Sequence, residues 1–142
     1  MSSEEVKVYE RKWFDVMNKG KAAVMTAIDE YFTSTFVFHS PLGTNLNFEG
    51  LKQFFSGLYD AFPDQQYTLD DVIVEGDKAV VRWAFTGTHK GAFMGIPPTN
   101  KKVTFWEIEI HRLAGGKQAE AWARLDTLGF MQQLGAIPTP KK

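Results

Sequence analysis

At 142 residues, 44% hydrophobic and 14% aromatic, the chain is long enough for one domain with a sizeable core. A formal net charge of −1 with no long basic run argues against a nucleic-acid partner. The absence of cysteine excludes disulfides, thiol nucleophiles and cysteine metal sites, and fits a reducing compartment.

The opening segment MSSEEVKVYERK lacks the apolar centre of a signal peptide, and no apolar run approaches the about 18 residues of a membrane span. The expected location is therefore cytoplasmic. With no repeat, low-complexity tract or linker, residues 1–142 read as a single domain, with PTPKK (138–142) as a flexible tail.

The first predicted helix covers residues 3–17. Ser2 and Glu5 have the spacing of a capping box, and Val6, Tyr9, Trp13, Val16 and Met17 mark its apolar face. A second helix spans 21–32, with Val24, Met25, Ile28, Tyr31 and Phe32 inward, so the two form a helical hairpin. Residues 35–39 (TFVFH) read as a strand, and Pro41, Gly43 and Asn45 as a loop. Asn47 is placed to cap a third helix over 48–62, whose inward face is Leu51, Phe54, Phe55, Leu58 and Phe62; Pro63 ends it.

From there the chain is nearly all strand. Segments 66–75 and 78–88 join at Gly76-Asp77, a two-residue hairpin signal that puts Asp71 opposite Arg82. Segments 103–113 and 117–126 join at Gly115-Gly116. An unbroken register sets His111 opposite Glu120, Glu109 opposite Trp122, Glu107 opposite Arg124 and Phe105 opposite Asp126. Paired residues share a face, so the polar groups collect on one side. Trp106, Ile108 and Ile110 collect on the other with Ala119, Ala121, Ala123 and Leu125. A bulge would scramble this assignment.

The stretch 118–135 organises the reading. Alternation places Gln118, Glu120, Trp122, Arg124 and Asp126 on one strand face. That face is either the polar floor of a pocket or an ordinary solvent-facing edge. Thr127 can then cap a short helix over 128–134, closed by Gly135. Three helices followed by an antiparallel meander is an α+β pattern. A curved sheet wrapped around those helices leaves a cone-shaped cavity.

Two motifs carry a family resemblance: GTHKGAFMGIPPT (87–99) and EAWARLDTLGFMQQLG (120–135). FEGLKQFFSGLYDAFPD (48–64) and VEGDKAVVRWAFTGTH (74–89) echo it more weakly. Over roughly residues 21–137 the chain resembles the SnoaL-like polyketide cyclases of the nuclear-transport-factor-like α+β cone superfamily. The resemblance implies a strongly bent antiparallel sheet wrapped around three helices of the N-terminal half, forming a cone with an internal cavity. It implies a cofactor-free cyclase or isomerase acting on a polyketide-like or other small apolar carbonyl compound. In that chemistry an aspartate in the position of Asp126 acts as general acid/base. It removes an acidic carbon proton and helps protonate the aldol oxygen as the ring closes. The matching histidine before the strand is His39, the matching aromatic is Trp122, and His89 stands in the T-H-x-G step of the first motif.

Beside that, His111 reads as a second proton carrier or carbonyl donor, or as a surface cross-strand partner of Glu120. Catalytic candidates are thus Asp126, His111 and His39. Substrate-contact candidates are Trp122, Glu120, Arg124 and His89, with Trp13, Phe36, Phe54 and Met94 as cavity walls. Met94 to Pro98 reads as a stiff loop over the cavity mouth. Arg124 shares the face of Asp126, and a guanidinium within reach lowers an aspartate pKa by roughly 1–3 units. That would weaken Asp126 as a base unless Glu107 takes up the charge. Phe38, just before His39, makes the pocket more apolar. The three histidines have no tight ligand spacing with the carboxylates, so no metal is expected. Phosphate-loop, nucleophile-elbow and zinc-protease motifs are absent.

Two other readings stay open: a non-catalytic small-molecule-binding protein, and a steroid-isomerase-like enzyme, for which no donor pair can be placed among the tyrosines. The apolar back of the 103–126 hairpin is too large to leave wet, so a homodimer through that face is expected.

Overall fold

The computed structural model describes residues 1–140; the last two residues of the expected tail lie outside the described residues. Helix α1 (Ser3–Asn18) begins where the sequence places it, with Ser2 and Glu5 closing a reciprocal capping box. Its buried stripe is Val6, Tyr9, Glu10, Trp13, Phe14 and Met17. Helix α2 (Lys21–Tyr31) completes the hairpin and gives way directly to strand β1 (Phe32–His39). A short strand β2 (Asn45–Asn47) occupies the end of the expected loop. Helix α3 (Phe48–Ala61) follows, capped by Asn47, whose side-chain oxygen accepts from the Gly50 amide at 2.8 Å.

Strands β3 (Gln66–Glu75), β4 (Lys78–Thr88), β5 (Lys102–Ala114) and β6 (Lys117–Leu125) form the meander, and α4 (Thr127–Leu134) ends the fold. The six strands lie in the order β2-β1-β6-β5-β4-β3. Every pairing is antiparallel except β1 with β6, which is parallel, so the sheet is mixed. Helix α1 packs on β3, α3 on β1 and α4 on β5. The core lies between these helices and one face of the sheet. None of the described helices is long and apolar enough to cross a membrane.

Register separates what alternation predicts from what forms. In the first hairpin Asp71 does face Arg82, and the two side chains are ion-paired at 2.6 Å. In the second hairpin the Gly115-Gly116 turn forms, both glycines having positive φ as this tight turn requires. The pairing then slips. Leu113 faces Gln118, but Arg112 faces Glu120, and Ala119 is the surplus residue. The ladder to β1 breaks at the same point of β6. His111 therefore faces Ala121, not Glu120, and Glu109 faces Ala123, not Trp122. Glu107 faces Leu125, not Arg124.

That single residue reverses the pairing of faces. The polar row Glu107, Glu109 and His111 turns inward with Ala121, Ala123 and Leu125. Trp106, Ile108 and Ile110 turn outward, exposed, beside Glu120, Trp122 and Arg124.

Inside, the core is a chain of aromatic contacts. Phe62 is wholly buried and meets Phe85, His89, Phe93 and Phe130, with ring centres 5.4–6.3 Å apart. It joins α3, β4, the 89–101 loop and α4. Phe62→Ala is expected to cost about 3–5 kcal/mol, the usual loss for a buried phenylalanine, read as a lower urea midpoint at unchanged slope.

Candidate functional site

The helices and the inner sheet face enclose a cavity of about 100 Å³. Its walls are almost entirely aromatic and aliphatic and draw on α1, β1, α3, β3 to β6 and α4. Trp13, Phe36 and Phe54 line it as expected, while Met94 does not; its side chain is exposed on the 89–101 loop. Ser40, Pro41 and Leu42, just after β1, lie at the edge of the cavity.

The charged groups of this cavity come from one strand. Glu107, Glu109 and His111 alternate along β5 and all point inward. His111 is buried, with Nδ1 at 2.8 Å from a Glu10 oxygen and Nε2 at 3.1 Å from a Glu109 oxygen. The other Glu109 oxygen accepts from the Trp83 indole N–H at 2.8 Å. The result is a linear relay, Glu10–His111–Glu109–Trp83, running from α1 across β5 to β4. Burial alone would lower the His111 pKa. The charge and hydrogen bond of Glu10, followed by those of Glu109, outweigh it and raise the pKa to about 10. The ring is an imidazolium at neutral pH, with a carboxylate at each nitrogen.

Glu107 is the exception. It is 7% exposed and lines the cavity, yet no hydrogen bond reaches its carboxyl among the described residues. Burial first, and the neighbouring Glu109 second, push its pKa well above the usual carboxylate range. Glu107 thus holds its proton more tightly than an ordinary carboxyl, facing a mostly apolar cavity.

Most of the residues singled out from the sequence lie elsewhere. Strand β6 ends at Leu125, and Asp126 turns out of the ladder to become the N-cap of α4 in place of Thr127. Its carboxylate is exposed and accepts the Gly129 amide at 2.9 Å. A Cβ at residue 129 would stand 2.3 Å from an Asp126 oxygen, so glycine there is what lets the cap close. An acid/base must face its substrate, and this one faces water. The slipped register carries Glu120, Trp122 and Arg124 outward as well. His39 stacks on Trp122, with ring centres 5.3 Å apart, and its Nε2 lies 2.7 Å from Glu120. Glu120 also accepts from Arg112 at 3.2 Å. These contacts form a half-exposed cluster on the outer face, away from the cavity. Arg124 is exposed and donates to its neighbour's backbone oxygen on Ala123. His89 is buried but structural: it stacks on Phe62, and its Nδ1 accepts from the Thr99 amide at 3.3 Å.

His111 is the one catalytic candidate inside the cavity. Glu10, Glu107, Glu109 and Trp83 were not singled out. The signal for Glu10 is in the sequence: it sits four residues after Val6 and three before Trp13, a charge on the apolar stripe of an amphipathic helix. Among the described residues no cluster of histidine and acidic side chains is arranged to hold a metal ion.

Comparison with known proteins places this architecture. A family model described as SnoaL-like polyketide cyclase matches residues 7–134. AclR, a proposed hydroxylase from Streptomyces galilaeus, is 26% identical with a TM-score of 0.86, over 99% of this chain and 87% of that one. TsrD from Streptomyces laurentii is 28% identical with a TM-score of 0.82, over 96% and 99% of the two chains. A proposed SnoaL-like polyketide cyclase from Jannaschia sp. CCS1 is 29% identical with a TM-score of 0.69, over 83% and 80%. No curated protein matches the chain.

The relay has a pH signature. The folded pKa of His111, about 10, lies above its ordinary 6.5. Its contribution to stability is therefore complete below about pH 6.5 and lost as the pH rises through about 10. Urea unfolding from pH 6 to 10.5 should show the wild type losing stability with rising pH relative to His111→Gln. Parallel pH curves for the two proteins would contradict an imidazolium at this position.

Proposed function

The chain belongs to the SnoaL-like polyketide cyclase family, and from that premise we propose that it is a cofactor-independent cyclase or isomerase. Its substrate is a small apolar carbonyl compound with an acidic carbon. Its reaction is a proton transfer that closes a ring by an intramolecular aldol step. The observation that carries the reading is Glu107, a buried carboxyl without a partner among the described residues, in a cavity with mostly apolar walls.

A pKa raised towards the operating pH suits a carboxyl to both halves of such a reaction. Ionised Glu107 takes the carbon proton and becomes neutral. The enolate carbon attacks the second carbonyl of the same molecule, and a carbon–carbon bond forms as the carbonyl π bond opens. The proton held by Glu107 then passes to the new alkoxide, which returns Glu107 to its starting state. His111 does not touch the reacting atoms in this scheme. Its charge is taken up by Glu10 and Glu109, so its part is to position Glu109. Trp83 and His111 hold Glu109 in place through its two oxygens.

A second reading is a binding protein whose cavity is catalytically silent. It is favoured by His111, both of whose nitrogens are already engaged, leaving Glu107 as the free acid/base. A binder gives thermal shifts with cyclisable ketones but no product.

Glu107→Gln is expected to lower turnover of a polyketide-like diketone by about 10²–10⁴, the range general acid–base catalysis supplies. Asp126→Asn should leave turnover unchanged. In the wild type the rate should rise with pH as Glu107 ionises, since the base form starts the reaction. Full activity in Glu107→Gln would remove the assignment.

Two copies of the chain pair through the outer face of the β5–β6 hairpin. The support is its exposed apolar row, Trp106, Ile108 and Ile110. Light scattering at micromolar concentration should give a dimer for the wild type and a monomer for Trp106→Glu. A monomeric wild type would overturn it.

A further inference from the structure

The charges around the cavity are unevenly matched. Among the described residues, no lysine or arginine lines it. Its one cation, His111, has both nitrogens taken up by Glu10 and Glu109, at 2.8 and 3.1 Å. Glu109 is committed on both oxygens, to His111 and to the Trp83 indole. Glu107 alone is uncommitted. The titratable groups around it are Glu109 and His111 on β5, Glu10 on α1 and Tyr67 on β3. None of them brings a spare positive charge.

A buried carboxyl with no donor at hydrogen-bond distance keeps its proton, or accepts from a donor that a ligand brings, most strongly a cation. The walls suit the second. Trp83 lies across from Glu107 in the β4–β5 ladder, with Tyr67 5.3 Å from the Trp83 ring and Phe105 6.2 Å from it. Aromatic faces attract a cation, most strongly where water is excluded. Among the described residues, the charged groups that an anionic ligand would meet are carboxyls and a histidine that is already paired.

We propose that the cavity takes an apolar compound carrying one basic nitrogen, its ammonium seated against Glu107 among these aromatic rings. The proposal names the substrate class for the site described above and rests on that reading of the cavity. The carbonyls that react belong to the same molecule. Seating the ammonium drives off the proton of Glu107, so binding releases one proton.

The cavity volume of about 100 Å³ is comparable with the roughly 150 Å³ engineered cavity that admits benzene, so single-ring probes are the right size. Benzylamine, benzyl alcohol and benzoate share one ring and differ in charge. Titration calorimetry of the full chain at pH 7 should find benzylamine at least about tenfold tighter than benzyl alcohol. That follows from the roughly 1–3 units by which an adjacent opposite charge moves a carboxyl pKa. Benzoate should bind weakest. Repeating the benzylamine titration in buffers of different ionisation enthalpy should reveal the released proton. Glu107→Gln should bring benzylamine to the level of benzyl alcohol and leave benzyl alcohol unaffected. Equal affinity for amine and alcohol, or a preference that survives Glu107→Gln, overturns the ammonium site and leaves proton transfer by Glu107 standing. An amine preference without any Glu107-dependent turnover does the reverse. If none of the three probes binds, the cavity is not a ligand site and both readings fall.

Discussion

One surplus residue on β6 decides what this protein encloses. Ala119 has no partner on β5, and from there to the end of the hairpin each strand shows the other a different face from the one alternation implies. With an unbroken ladder, Glu107, Glu109 and His111 would share a face with Glu120, Trp122 and Arg124. That face could be covered only by burying three further polar or bulky groups. The bulge instead brings small alanines inward beside the β5 acids and leaves room for a cavity. The slip is anchored from the helical layer. The Gln118 amide donates to the Tyr9 hydroxyl at 3.2 Å, and that hydroxyl donates to the Tyr31 carbonyl. One tyrosine thus ties α1, the end of α2 and the bulged strand together.

Enclosing those acids is costly, and the relay is how the cost is met. Glu10 and His111 are almost completely buried. Two charges taken from water repay their desolvation only when geometry is good and their remaining valences are satisfied. His111 meets that condition at both nitrogens, and Glu109 at both oxygens. One oxygen of Glu10 is left without a partner, as is Nε2 of His89. Removing one member of such a pair typically costs about 3–5 kcal/mol because the other is stranded.

The helices, the Asn47 and Ser2 caps, both tight hairpin turns and the family were legible in the sequence, because each is written in local spacing. The cavity walls on α1 and α3 followed from the same periodicity. The site was not legible, for two physical reasons. Strand alternation fixes which residues of one strand share a face, but not which face of the neighbour joins them, and a bulge changes that without a strong local signature. Asp126 shows the second reason. A carboxylate where a strand runs into a helix has two uses, as a proton carrier or as a partner for free amides at a helix start. Its position suits either. Only the closeness of Gly129 reveals which is realised. Glu10 was the readable clue: an ionisable group on an apolar stripe demands a buried partner, and His111 is that partner.

Because Glu10 belongs to α1, the first helix is more than a lid over the sheet. It contributes the anion that holds the buried imidazole positively charged, far along the chain from its own position. Trimming the helix, or fusing a rigid module that bends it away, would therefore change the electrical character of the interior as well as uncover it. In protein engineering, the amino-terminal segment has to be handled as part of the working interior.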